Sequence, residues 1–126
     1  MIGTLRAVVL DAADIRRLAT FYATLGGWTE LYTEDDWIAL DTGDGWRFAV
    51  QYSPDHVPPR WPDPAYPQQG HLDLHAPDLD AGTARAVSLG ARLLRRTGTR
   101  CTLADPAGHP FDLCLSRRRR ASPSPA

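Results

Sequence analysis

The residues best equipped for chemistry lie in one short segment, GHLDLHAPDLDAG, from Gly70 to Gly82. As an extended strand it sets His71, Asp73 and His75 on one face and Leu72, Leu74 and Ala76 on the other. Two imidazoles and a carboxylate on one side of a strand suit metal ligation, proton transfer or plain exposure to water. His71 with Asp73 forms a candidate acid–base pair. His75 sits nearer the strand end and reads as solvent-facing or structural. Ser and Cys nucleophiles lack a partner at recognisable spacing, and no Gly-rich phosphate loop is present.

Aromatic residues give the second signal. Trp37, Trp46, Phe48, Tyr52 and Trp61 fall in strand candidates or in a Pro-rich connection, and walls of this kind suit a flat or apolar small molecule. Packing in the core is the competing reading for each. Trp61 and its neighbour Arg60, set between prolines, are the hardest to explain as core.

Positioning these groups requires a regular scaffold, and the chain supplies one twice. Residues 5–11 read as a buried strand, followed by a helix with Asp14 as N-cap, apolar positions Ile15, Leu18, Phe21, Tyr22 and Leu25, and a Gly26-Gly27 stop. WTELY, WIALD and WRFAVQY follow as short strands separated by turn residues, of which TGDG is a hairpin turn. The segment 53–69 holds six prolines, which no helix or sheet interior tolerates, and reads as a linker that packs through Arg60, Trp61 and Tyr66. The pattern then restarts with HLDLHA, a helix N-capped by Asp78, and the strands RLLRR, CTLAD and PFDLCL. His109 belongs to the DPAGHP turn before the last of these. A shift of 64 residues lays Asp14-Ile15 on Asp78-Leu79 and Leu25-Gly26-Gly27 on Leu89-Gly90-Ala91. Each half is therefore a β-α-β-β-β module, and two copies make a paired-module domain, not a solenoid.

Composition bounds the partners. With 126 residues the chain is one domain, and a net charge of −1 gives no electrostatic case for nucleic acid or an anionic membrane. No apolar run is long enough to span a bilayer and no signal-peptide order opens the chain, so the expected compartment is the cytoplasm. Cys101 and Cys114 form no framework and read as reduced strand residues. Every basic residue is Arg, which points to codon bias more than to function. The tail 117–126, with four consecutive arginines, reads as disordered and solvated.

The segments DIRRLATFYATLGGW, HLDLHAPDLDAGTARAVSLGA and ADPAGHPFDLCL resemble the vicinal oxygen chelate superfamily, the glyoxalase, bleomycin-resistance and dioxygenase fold. The resemblance implies an α+β domain over 1–116, with modules at about 5–52 and 70–115, forming an open barrel-like sheet around a central cavity. It also implies a homodimer. Metal-using members take ligands from the first and last strands of each module. Carried across, this pattern selects His71, selects Asp112 where Glu is usual, and meets Ala7 in the first module. The last strand of that module offers Ala49 or Gln51, according to the alignment of its turn, and Asp11 shares the face of Ala7.

The expected function is therefore binding of a small molecule in a cavity without a tight metal site or other cofactor. Gln51, Trp37, Phe48, Tyr52, Trp61 and Arg60 would contact the ligand, and His71 with Asp73 would do any proton transfer. The alternative is a lyase, isomerase or dioxygenase whose divalent metal is held by His71, Asp112 and Gln51.

Overall fold

The computed structural model describes residues 1–115; the Arg/Pro tail lies outside the described residues. The first module runs β1 (Val8–Ala12), α1 (Ile15–Gly26), β2 (Thr29–Glu34), β3 (Trp37–Asp41) and β4 (Arg47–Tyr52). The second repeats it with β5 (Leu72–Ala76), α2 (Leu79–Ser88), β6 (Arg92–Arg96), β7 (Arg100–Ala104) and β8 (Pro110–Leu115). Each forms its own four-stranded mixed sheet, in the orders β1-β4-β3-β2 and β5-β8-β7-β6, with the first strand parallel to the last. The two sheets remain open and do not close into a barrel, so the expected α+β architecture of two βαβββ modules is what the chain adopts.

Local chemistry explains the helices. The Asp14 carboxylate accepts from Arg17 N–H at 3.0 Å and Asp78 accepts from Ala81 N–H at 3.0 Å, so both expected N-caps satisfy otherwise orphaned donors. Gly27 ends α1 with φ of 67°, a left-handed conformation that glycine adopts without strain. Strand alternation then decides which face each sheet turns to its helix. Ile38 pairs with Val50 and Leu40 with Phe48 in the first sheet, and Cys101 pairs with Leu113 and Leu103 with Phe111 in the second. All eight are buried.

The repeat is offset by one residue after the helix. Asp14 to Asp78 spans 78 − 14 = 64 positions, whereas the paired strands match at 63, as Phe48 to Phe111 does (111 − 48 = 63). The difference falls between the helix and the second strand of each module. It settles the alignment of the first module's last strand: Val9 opposite Ala49 takes the place of Asp73 opposite Asp112. Ala49, not Gln51, is therefore the counterpart of Asp112.

One core joins the modules. Tyr22 of α1 packs on Phe48 at 4.9 Å, Trp28 at 6.0 Å and Phe111 at 5.9 Å between ring centroids, the last lying in the other module. Its hydroxyl donates to Asp105 Oδ2 at 2.7 Å, while Asp105 Oδ1 accepts from the N–H groups of Ala107 and His109. Burial pushes the Asp105 carboxyl above its ordinary value against the pull of these donors. Burial and the adjoining carboxylate also push the Tyr22 phenol well above its own. No helix among the described residues is long and apolar enough to cross a membrane.

Candidate functional site

Opposite its helix, the second sheet presents a polar face built from three strands. The chain enters β5 at His71, and Asp73 follows on the same side. Asp73 lies opposite Asp112 of β8, which lies opposite Thr102 of β7. His71 Nε2 stands 3.2 Å from Asp73 Oδ1 and 3.5 Å from Asp112 Oδ2. The Thr102 hydroxyl donates to Asp112 Oδ1 at 2.6 Å, and Arg100 Nη1 lies 3.6 Å from Asp112 Oδ2. Asp112 is only 5% exposed, and a buried carboxylate is tolerated where such donors and cations surround it.

His71, Asp73 and Asp112 each offer one ligand atom within 4.8 Å of the others. Adjacent ligands on an octahedral ion with bonds of about 2.1 Å are roughly 3 Å apart. The nitrogen-to-oxygen separations of 3.2 and 3.5 Å are close to that spacing. One imidazole and two carboxylates also leave coordination positions open, and hard oxygen donors suit Mg or Mn as imidazole suits Fe or Zn. The residues therefore fit a divalent ion.

His71 and Asp112 border a cleft of about 400 Å³ lined also by Trp61, Gln68, Arg95, Thr97, Thr99 and Arg100. Two guanidinium groups and three threonines, counting Thr102, make it a recess suited to anionic oxygen. Cys114 neighbours the triad from β8, and burial pushes its thiol up, aided by the Asp73 carboxylate. It and the buried Cys101 are free thiols.

The ligand residues expected from sequence divide among different places. Trp61 lines the cleft with His71 and Asp112. Gln51 does not: with Trp37 it lines a separate recess of about 350 Å³ on the first sheet, alongside Tyr32, Glu34 and Asp36. His71 and Asp112 therefore have Asp73, not Gln51, beside them. Phe48 is 2% exposed and turned toward α1, packing on Tyr22 and Trp28. Strand alternation forces this, since Phe48 and Gln51 must face opposite sides. Tyr52 falls on the parity of Phe48 at the strand end and is 47% exposed. The Arg60 guanidinium stacks over the Tyr66 ring, 4.5 Å from its centroid. Trp46 is exposed, and so is His75, which lies opposite Cys114 near the end of β5.

Sequence reading missed Arg95, Thr97, Thr99, Arg100, Thr102 and Gln68. A signal existed for two of them: in RCTLA, Arg100 and Thr102 alternate with the apolar Cys101 and Leu103, marking a polar face.

A third recess, of about 630 Å³, runs along the seam between the modules. The free edge of β1, the start of β5 and both flanks of the Pro-rich linker line it. Asp11 lies there, its backbone carbonyl accepting from His109 Nε2 at 2.7 Å, and its carboxylate is not part of the His71, Asp73 and Asp112 group. His56 Nε2 in turn donates to the Ala107 carbonyl at 3.0 Å, and Pro58 packs against Gly108. These contacts make the linker a packed roof.

Comparison with known proteins adds three findings. The family model for a glyoxalase-like domain matches residues 7–114. No curated protein sequence gives a significant match. Solved structures share the fold: a glyoxalase-related enzyme from Fulvimarina pelagi superposes with a TM-score of 0.70 at 19% identity, covering 91% of this chain and 89% of that one. A glyoxalase/bleomycin resistance protein/dioxygenase family enzyme from Burkholderia phytofirmans PsJN gives 0.69 at 17%, covering 88% and 97%. The fosfomycin resistance protein FosX from Listeria monocytogenes gives 0.69 at 16%, covering 94% and 97%, and has also been solved with Mn(II) and sulfate.

Proposed function

The chain belongs to the glyoxalase-like family, and from that premise we propose that it acts on a small anionic molecule bound in the cleft beside His71, with a divalent ion held by His71, Asp73 and Asp112. The placement of one imidazole nitrogen and two carboxylate oxygens within 4.8 Å of one another carries this reading. A divalent ion there supplies polarisation of the oxygens it takes up and stabilises the negative charge that develops on them.

The remaining groups bind and orient. Arg95 and Arg100 draw anionic oxygens into the cleft, and the hydroxyls of Thr97 and Thr99 add directional donors. Thr102 fixes the rotamer of Asp112 through its short hydrogen bond, as outer-shell partners of metal ligands do. Trp61 walls one side and excludes water from it. The Mn(II) and sulfate of the Listeria protein are consistent with an ion and an oxyanion sharing such a fold.

One observation favours a second reading, binding without a metal. His71 Nε2 lies within ion-pair distance of both carboxylates, and Thr102 and Arg100 attend Asp112, so the cluster is also satisfied by itself. Its function would then be sequestration of the small molecule.

Metal analysis separates the two. After exposure to Mn(II) and desalting, the protein is expected to retain about one ion per chain, and His71→Ala and Asp112→Asn less than a tenth of that, with unchanged circular dichroism. Absence of retained metal in the wild type, with binding of sulfate or methylphosphonate unaffected by EDTA, would overturn the metal reading in favour of the second.

A further inference from the structure

The cleft and the seam recess abut at one residue, for His71 lines both. Their chemistry differs sharply. The cleft is lined chiefly by arginines, threonines and a carboxylate, while the seam recess is walled chiefly by Val9, Leu10, Val57, Pro58, Pro59 and Leu72, with Asp11 and Gln69 as its polar members beside the histidines. It is also the larger space, about 630 Å³ against about 400 Å³. Its histidines are engaged structurally: His109 on the β1 backbone and His56 on the turn at Ala107. Tyr66 adds an aromatic surface whose ring is held in place by the Arg60 guanidinium.

We infer that the ligand is an amphipathic anion, its charged oxygens seated in the Arg/Thr cleft and its apolar portion running past His71 into the recess under the Pro-rich linker. The inference rests on the cleft reading above and adds the second half of the molecule to it. The shared wall at His71 is what selects this occupant. A wholly polar substrate would leave the apolar walls wet, and a wholly apolar one would make no use of the guanidinium and hydroxyl donors of the cleft. The linker thereby acquires a recognition role that its composition alone does not reveal: Trp61 faces the head group and Val57 with Tyr66 faces the tail.

A chain-length series tests this directly. Methyl-, propyl-, butyl- and hexylphosphonate would be titrated calorimetrically into the Mn(II)-loaded wild type and into Val57→Asp and Tyr66→Ala. Burial of one methylene favours binding by about 0.8 kcal/mol, so affinity should rise roughly threefold to fourfold with each added carbon in the wild type. In both variants methylphosphonate should bind as in the wild type, while the gain per carbon falls. Methylphosphonate binding with affinity independent of chain length would overturn the tail site and leave the cleft reading standing. A failure of methylphosphonate to bind would overturn the cleft reading, and the tail site with it. Val57 is 67% exposed, so its replacement by Asp leaves the core intact.

Discussion

The two modules share strand order, register and aspartate N-caps, yet their sheet faces opposite the helices carry different chemistry. In the second module the face holds His71, Asp73, Thr102, Arg100 and Asp112. The matching positions of the first are Ala7, Val9, Ala39, Trp37 and Ala49. One scaffold thus supports polar, ion-capable residues at these five positions in one copy and apolar or aromatic ones in the other. Backbone pairing is indifferent to which it is, because strand hydrogen bonds do not depend on the side chains standing above them. What the polar face requires is mutual support: a buried carboxylate at Asp112 exists beside Thr102 and Arg100, and the first module has neither partner.

The largest effect should come from erasing the contrast. Replacing His71, Asp73 and Asp112 with the residues of the first module, as His71→Ala, Asp73→Val and Asp112→Ala, should abolish retention of Mn(II), read by metal analysis. The fold should survive, since that set is what the first module already carries. Retention of metal by this triple variant would place the ion elsewhere.

Next in size is the reverse substitution at a single site. Ala49→Asp puts a carboxylate at a fully buried position with Ala39 where Asp112 has Thr102. It should destabilise by about 3–5 kcal/mol in urea unfolding. A loss under 1 kcal/mol would show that the first face accommodates charge without the supporting residues.

Removing the support itself should be milder. Thr102→Val deprives Asp112 of its hydroxyl donor, and metal affinity should fall by about tenfold to a hundredfold, measured by competition with a chelator. Equal affinity in the two proteins would deny Thr102 any role in orienting the carboxylate.

The smallest of these effects concerns the bond that ties the modules together. Tyr22→Phe leaves Asp105 without its phenol donor and should cost about 1–3 kcal/mol. The pH dependence gives a second handle. Both groups are raised in the folded chain. The stability they contribute is complete below their unfolded values, near 4 for Asp105 and near 10 for Tyr22. It declines as pH rises through the folded ones. Tyr22→Phe should therefore flatten the alkaline decline seen by thermal melting above pH 10, and Asp105→Asn the decline that begins near pH 4. An alkaline limb unchanged in Tyr22→Phe would assign it to other groups.

Much of this was legible in the chain. Asp14 and Asp78 announce helix starts because a short carboxylate caps backbone donors wherever the following residues turn helical. Strand alternation alone puts His71 and Asp73 on one face and commits Phe48 to the face opposite Gln51; the expectation that both contact a ligand conflicts with that rule. The internal repeat was equally visible, although its one-residue offset after the helix was not. Without that offset Asp112 falls on Phe48; with it Asp112 falls on Ala49, and Gln51 lies two residues further along the same face.

Sequence by itself determined the two modules, their helices and the parity of every strand residue, since these follow from spacing, caps and turn chemistry within short windows. Tertiary structure decided which residues of different strands meet. Asp112 joins His71 and Asp73 through the parallel β5–β8 pair, whose partners lie a helix and two strands apart in the chain. The bond between Tyr22 and Asp105 spans the modules in the same way. Register between distant strands is set by the packing of both helices against their sheets, and no local run of residues encodes it.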